Sequence, residues 1–341
     1  MTTALITGAA GQDGTLLAAY LTRSGHDVVG VVKPGTDAER FRRYVPAATV
    51  VEQDLEDTDG LRSVVIEAEP QFLANLAGVS SITESQRFPE LTQRINVDAV
   101  SAIVDGLSTV ADRTKAQPRM FQATSAAIYE GVDHIPQTET TEASPKTPYA
   151  MSKYAALQIV ERARTDNGLF AVSGILYNHE SPLRGPEFVT RKISMAVARI
   201  AAGLQDILEL GNIEVARDWG WAPDYVRAMI LMLQAETPKD YVIATGVSHR
   251  LSYFLKKAFE SANITDWQAH VASTESNQRT VDTNLLVGDS YAIKNELGWR
   301  PSVDFDSIAH IMVEQDMALL KNPDHLWDLD YVELTTAAEQ H

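Results

Sequence analysis

The stretch ALITGAAGQDGTLLAAYLTRSGHDVVGVV, residues 4 to 32, decides the fold. The apolar run Ala4-Leu5-Ile6 ends at glycines 8, 11 and 14; an amphipathic segment follows, and a valine-rich run begins at Val28. Short apolar runs bounded by glycine read as strands, and the amphipathic segment between them reads as a helix. In G-x-x-G-x-x-G, glycine serves where the turn is tight, where backbone approaches a pyrophosphate and where the helix packs on the sheet. The helix N-terminus adds free amides and the positive end of a dipole. The stretch therefore reads as a strand, turn and helix that bind a dinucleotide.

The pattern continues outward from this unit. The second strand ends at Val31-Val32-Lys33, where an acidic residue would hold the ribose 2′-hydroxyl of NAD and a basic one would meet the 2′-phosphate of NADP. Lys33, with Arg40, Arg42 and Arg43 close behind, points to NADP, with NAD as the alternative. A third strand, Ala48 to Val51, leads to Asp54 and Leu55, which are placed to reach an adenine. A helix from Asp59 to Ala68 precedes the strand Gln71 to Ala77. That strand ends on Asn75-Leu76-Ala77-Gly78, small enough for backbone to lie against a cofactor.

Residues 90 to 112 read as one long helix carrying Asn96. Arg119 to Ala123 reads as a strand delivering Thr124 and Ser125, and Phe170 to Tyr177 as another. Regular alternation predicts an α/β chain with a Rossmann-type, doubly wound parallel sheet and helices on both faces. Ligands bind such sheets at the carboxyl ends of the strands, which puts the glycine turn, Asn75, Ser125 and Tyr149 on one edge. From Asn178 to Trp221 the alternation loosens into an irregular, arginine-bearing segment, and Asp240 to Thr245 again resembles a strand. The expected division is a dinucleotide-binding domain over residues 1–177, with 222–246 returning to it. A smaller, mostly C-terminal α/β substrate domain covers 178–221 and 247–330, and 331–341 form a tail. No order is predicted for the acidic stretch from Asp324.

Tyr149 and Lys153, in TPYAMSK at 147 to 153, stand four residues apart on a helix-compatible run and would share one face. A phenol is a poor base at neutral pH, but an ammonium one turn away favours the phenolate. Tyr149 would then take a proton from a substrate hydroxyl. The spacing alone is common on half-solvated helices. Together with the glycine turn and the Thr124-Ser125 pair, in that chain order, it resembles the short-chain dehydrogenase/reductase family.

Composition narrows the partners. The 341 residues carry a formal charge of −17, with 45% hydrophobic and 22% charged residues, which suits a globular chain with a sizeable core. Such acidity repels nucleic acid and anionic membranes, so a phosphate-bearing ligand requires concentrated local positive charge. The chain has no cysteine, which excludes disulfides and thiolate metal sites, and no metal is expected. Without a signal-like start or a run long enough to span a bilayer, the expectation is a soluble cytoplasmic protein.

Seven segments are similar to one branch of that family, the GDP-mannose 4,6-dehydratases. They are TGAAGQDG at 7 to 14, IPQTETT at 135 to 141, TPYAMSK, ILYNHESPLRGPEFVTRKI at 175 to 193, LGNIEVARDWGWAPDYV at 210 to 226, DYVIATG at 240 to 246 and VGDSYAIKNELGWRP at 287 to 301. The resemblance implies Tyr149 as base at the sugar C4 hydroxyl, Lys153 as its activator and a ribose ligand, and Ser125 as a hydroxyl bonding the same oxygen. For the cofactor it implies Gly8, Gly11, Gln12, Asp13 and Gly14 in the turn and Lys33, Asp54 and Leu55 beyond it. Leu76, Ala77 and Gly78, and later Tyr177, Asn178, His179 and Arg184, complete that surface. On the substrate side it implies Ser80 and Asn178, then Val189 and Lys192 near Arg191, then Leu210 and Gly211. Arg217 and Arg279 match arginines that hold a GDP diphosphate, a task suited to guanidinium forks. The implied partner is a GDP-hexose, and the implied assembly a homodimer or homotetramer.

One departure bears on the chemistry. Family members carry a pattern like S-T-S-E-L-Y-G where this chain reads Thr124-Ser125-Ala126-Ala127-Ile128-Tyr129-Glu130, so Ala127 stands at the carboxylate position. That carboxylate removes the C5 proton before water leaves across C5–C6. Either Glu130 replaces it, or the reaction stops at C4 as epimerisation or ketone reduction. A non-catalytic NADP-binding sensor is the third reading. Leu183 stands where the family usually has an arginine, and Pro34 where a second basic residue often follows the strand.

Overall fold

The computed structural model describes residues 2–273 and 285–329. Its first unit is β1 (Thr3–Thr7), α1 (Gln12–Arg23) and β2 (Asp27–Val32). Then come α2 (Glu39–Tyr44), β3 (Thr49–Glu52), α3 (Thr58–Ala68) and β4 (Phe72–Asn75). All these strands pair in parallel, and β1 lies between β2 and β4. The strand order therefore reverses beside β1, which opens a crevice at the carboxyl edge.

The region read as one helix over 90–112 is three pieces. After the short α4 (Ile82–Arg87) come α5 (Pro89–Gln93), a π-turn at Arg94–Asp98 and α6 (Ala99–Thr114). The wide turn carries Asn96, whose side chain is spent on a neighbouring loop, and such bulges often mark functional sites. β5 (Arg119–Ser125) runs two residues beyond its predicted end, so Thr124 and Ser125 belong to the strand, and a 3₁₀ turn at Ala126–Tyr129 follows.

The next helix, α7 (Pro148–Thr165), starts with proline in its first turn and Thr147 as cap, whose hydroxyl accepts from the Ala150 amide at 3.2 Å. β6 (Phe170–Leu176) is buried along its whole length, as a central parallel strand must be when helices cover both faces.

Beyond β6 the structure is more regular than the sequence suggested. β7 (Asn178–Glu180), α8 (Val189–Ala201), β8 (Leu208–Leu210), β9 (Ala216–Trp221) and α9 (Ala222–Gln234) succeed one another. The apolar stripe Ile193, Ala196, Val197 and Ile200 is buried, which makes a helix of the segment expected to be irregular. β10 (Tyr241–Ile243) then pairs with β6 and completes the order β3-β2-β1-β4-β5-β6-β10.

β11 (Ser248–Arg250), α10 (Leu251–Ser261), β12 (Val271–Ser273), α11 (Tyr291–Glu296) and α12 (Phe305–Lys321) follow among the described residues. β11, β9 and β7 form a three-stranded mixed sheet, and β12 pairs with β8.

One core lies where α1 and α9 cover the large sheet and runs on into α8, α10 and α12; a second lies beneath α3, α6 and α7. The acidic stretch from Asp324 docks as far as it is described. Trp327 and Leu329 are buried, the Trp327 amide donates to the Tyr44 hydroxyl at 2.9 Å, and Trp327 meets Trp221 edge-on. Apolar anchors outweigh the local charge there. No helix among the described residues is long and apolar enough to cross a membrane.

Candidate active site

Glycine is required in the turn between β1 and α1. Gly8 has φ +68°, and a Cβ there would sit 2.8 Å from the Ala77 amide nitrogen. At Gly14 a Cβ would lie 2.3 Å from the Gly8 carbonyl oxygen. Gly11 caps α1 and, as a glycine, has no side chain to accept from the first amides of the helix. These are the properties a pyrophosphate cradle needs, and the turn fits a dinucleotide.

Gln12 and Asp13, at the start of α1, are tied to β7. The Gln12 amide donates to the His179 carbonyl at 3.1 Å and accepts from the Ser181 hydroxyl at 2.8 Å. Asp13 and His179 Nε2 are 2.8 Å apart, and His179 stacks on Tyr225. Burial pushes the Asp13 carboxyl up, but His179 and Arg184 outweigh it and hold the group below its usual range. Arg184 pairs with Glu180 at 3.2 Å and lies over the Phe188 ring.

Ser125 ends β5, where its hydroxyl accepts from the Ala127 amide at 3.2 Å. Tyr149 stands in the first turn of α7, and Ser125 lies near enough to its phenol to favour the ionised form. Lys153 is one turn further on, 7% exposed, with its ammonium donating to the Ala123 carbonyl at 3.0 Å and 6.0 Å from the Tyr149 ring centre. Burial lowers the lysine to about 8.

The expected lowering of the phenol by Lys153 is not what the structure shows. Burial pushes Tyr149 above its ordinary value and Glu130 adds to the rise, while Ser125 and Arg184 pull the other way. The ammonium is spent on a backbone carbonyl, so the opposing pull on the phenol comes from Ser125 and Arg184.

Residues not singled out as ligands hold this group in place. Thr7 donates to Asn75 at 2.5 Å, Asn75 to Gln122 at 2.8 Å, and Gln122 to the same Ala123 carbonyl at 3.0 Å. Asn96 accepts from the Val79 amide at 2.8 Å and donates to the Val79 carbonyl at 3.1 Å and to Ser152 at 3.0 Å. The Tyr149 amide donates to Ser85 at 3.2 Å. A buried polar residue in a strand interior was the available signal for Gln122. Ser85 gave none.

The remaining residues are more dispersed. Leu76, Ala77 and Gly78 follow β4 directly under the glycine turn, and a Cβ on Gly78 would meet Asn96 and approach Lys153. Lys33 and Ser80 are exposed at the crevice edge, Asp54 follows β3, and Leu55 is buried. Arg40, noted only as part of a basic cluster, reaches back to the Ala10 carbonyl of the turn at 3.5 Å.

Asn178 is exposed at the start of β7, but the Tyr177 hydroxyl is consumed by Gln137 at 2.8 Å, so its phenol serves the core. Val189 opens α8 and is exposed, and Lys192 donates to the Glu209 carbonyl at 2.7 Å, docking α8 on β8. Leu210 is buried, Gly211 follows it, and Arg217 lies on β9 beside Ala216. Arg279 lies outside the described residues.

Ala127 is 9% exposed in the 3₁₀ turn, where its methyl group supplies no carboxylate. Glu130 has not taken its place. One carboxylate oxygen accepts from the Lys146 and Thr147 amides at 3.2 and 2.9 Å and from the Thr147 hydroxyl at 2.7 Å. The other is buried without a hydrogen-bond partner.

With this geometry in hand, comparison with known proteins is specific. The family profile for GDP-mannose 4,6 dehydratase matches residues 5–312. GDP-mannose 4,6 dehydratase 1 of Arabidopsis thaliana is 37% identical over 340 residues, covering 97% of this chain and 94% of that one. The Homo sapiens GDP-mannose 4,6 dehydratase is 36% identical over 347 residues, covering 94% and 93%. Among solved structures, the UDP-glucose 4-epimerase of Thermotoga maritima with UDP-glucose superposes with a TM-score of 0.79 at 21% identity, over 93% of this chain and 99% of that one. RMD from Pseudomonas aeruginosa complexed with NADPH does so with a TM-score of 0.76 at 21% identity, over 93% and 98%. At that identity these two likenesses establish the fold alone.

Proposed function

The chain belongs to the GDP-mannose 4,6-dehydratase family, whose members are NAD(P)-dependent nucleotide-sugar enzymes, and we propose that it binds NADP and a GDP-hexose and begins by oxidising the sugar C4 hydroxyl. The observation that carries this reading is Tyr149 in the first turn of α7, with the Lys153 ammonium one turn on and 6.0 Å from its ring, at the sheet edge that also carries Ser125 and the glycine turn. A bound oxidised nicotinamide dinucleotide supplies the hydride acceptor and a cationic ring.

The chain's own residues do the rest. Tyr149 receives the hydroxyl proton, Ser125 hydrogen-bonds the same oxygen, and Lys153 meets a ribose hydroxyl. The glycine turn, Gln12, Asp13 and Leu76 to Gly78 hold the cofactor. Lys33 and Arg40 favour the extra phosphate of NADP over NAD. Arg217 and Arg279 take the substrate diphosphate, and Asn178, Ser80, Val189, Lys192, Leu210 and Gly211 frame the nucleotide-sugar.

We assign cofactor binding to residues 1–177 and 222–246, because β10 adds to the seven-stranded sheet, and substrate binding to 178–221 and 247–330, because β7, β9 and β11 form their own. Family resemblance extends the reading to a homodimer or homotetramer.

The proposed end point is elimination of water across C5–C6, supported by similarity along nearly the whole chain to named dehydratases. A second reading, C4 epimerisation or reduction of a 4-ketone, is favoured by Ala127. General acid–base catalysis is worth about 10² to 10⁴ in rate, or roughly 3 to 5 kcal/mol, and an alanine supplies none of it. Incubating the purified protein with GDP-mannose and NADP, followed by NMR and mass analysis, separates the two. A 4-keto-6-deoxy sugar that has lost one water supports dehydration, and a C4 stereoisomer supports the second reading. If no GDP-hexose changes although NADP binds, the enzyme reading is overturned.

A further inference from the structure

The buried carboxylate of Glu130 plays no part in the mechanism above, yet it sits at the joint between the two halves of the catalytic group. The 3₁₀ turn starts from Ser125 and ends against Glu130. Residues three apart eclipse one another in such a turn, so Glu130 lies one turn beyond Ala127 on the same side. Glu130 is 4% exposed. Its bonded oxygen takes the amides of residues 146 and 147 and the hydroxyl of Thr147, the cap of the helix that carries Tyr149. Two backbone bonds fasten the same seam: Ser144 to the Ile128 carbonyl at 2.8 Å and Gly131 to the Ser144 carbonyl at 3.0 Å. The second carboxylate oxygen is buried with no hydrogen-bond partner, a costly arrangement for a group with a purely structural task.

Resting on the C4 reading above, we propose that Glu130 is a positioning residue that acts through Tyr149. Its carboxylate fixes the first turn of α7 beside Ser125 and opposes the phenolate, so that Tyr149, once it has taken the C4 proton, readily returns it to the substrate oxygen. The groups whose charge or hydrogen bonding acts on the phenol are Ser125, Arg184 and Glu130, with Lys153 one turn away. Ser125 and Arg184 favour phenolate, while Glu130 opposes it. Reduction of a C4 ketone requires a hydride, supplied by a reduced nicotinamide dinucleotide, at carbon and a proton at oxygen. The neutral phenol is the form that supplies that proton, leaving tyrosinate and a C4 alcohol. The site is thereby weighted towards returning hydrogen to the sugar.

The test needs no substrate. Protein labelled with ¹³C at tyrosine Cζ is titrated, with the Tyr149 resonance assigned by its loss in Tyr149→Phe. Glu130→Gln keeps an oxygen to accept the three bonds and removes the charge, so the Tyr149 midpoint is expected to lie lower than in wild type. A purely structural carboxylate would leave the midpoint where it was, and that result overturns the proposal. Glu130→Gly removes charge and anchor together, should also lower the midpoint, and decides the matter if Glu130→Gln does not fold. A displaced midpoint in a protein that converts no GDP-hexose leaves this role standing while removing the proposed function.

Discussion

Lys153 holds a buried charge whose cost in stability can be measured. Its ammonium is buried with one carbonyl partner, and burial lowers it from 10.5 to about 8. The unfolded chain therefore binds this proton more tightly than the folded one. At pH 7 the folded lysine is still mostly charged, and the difference of about 2.5 units amounts to roughly 3 kcal/mol of instability. Below pH 8 the penalty is present in full, and it is relieved as pH rises through 8 towards 10.5. By pH 10 about 2.5 kcal/mol of it should have been recovered.

Lys153→Met removes the penalty and also one hydrogen bond worth about 1 kcal/mol. The variant should be roughly 2 kcal/mol more stable than wild type at pH 7, with that advantage gone or reversed by pH 10. Urea unfolding of both proteins across this range measures it. Taking the difference between them cancels the tyrosines, whose raised values act in the opposite sense. If the gap stays constant with pH, or if Lys153→Met is the less stable protein at pH 7, the claim that a costly charge is stored beside Tyr149 is refuted.

Other perturbations separate the parts of the site. Tyr149→Phe should retain cofactor affinity, measured by calorimetry, while C4 oxidation falls by about 10² to 10⁴. Ala127→Glu should raise formation of the 4-keto-6-deoxy product by about 10² or more, read by NMR of GDP-mannose reaction mixtures. Gly14→Ala drives a Cβ to 2.3 Å from the Gly8 oxygen, so loss of NADP binding in a protein that still folds is the expected calorimetric result. Asn96→Ala strips the Val79 loop and Ser152 of three bonds and should cost about 2 to 3 kcal/mol in urea unfolding.

Local features made much of this molecule legible. The glycine spacing and alternating strands specify the parallel sheet because each is dictated within about thirty residues by backbone sterics and burial. Tyr149 and Lys153 were legible for the same reason, since four residues on a helix fix a common face. Long-range packing decided what was misread. α8 forms because its apolar stripe finds a neighbour in α12, and the end of the described chain docks because Trp327 finds Trp221 and Tyr44. The state of the phenol was misread because spacing places an ammonium near a ring without saying which partner the ammonium prefers.

The polar chain beneath the site explains why that preference could not be inferred. Thr7, Asn75 and Gln122 come from three separate strands, with 68 positions between the first two and 47 between the next, and they are neighbours only because β1, β4 and β5 pair in register. Their bonds run from the foot of the glycine turn to the Ala123 carbonyl, and that same oxygen receives Lys153. A buried charge that shares its acceptor with a relay of fixed amides has little freedom to swing towards the phenol. The lysine is thus held at a defined place on the floor of the crevice, and that place depends on the position of the glycine turn.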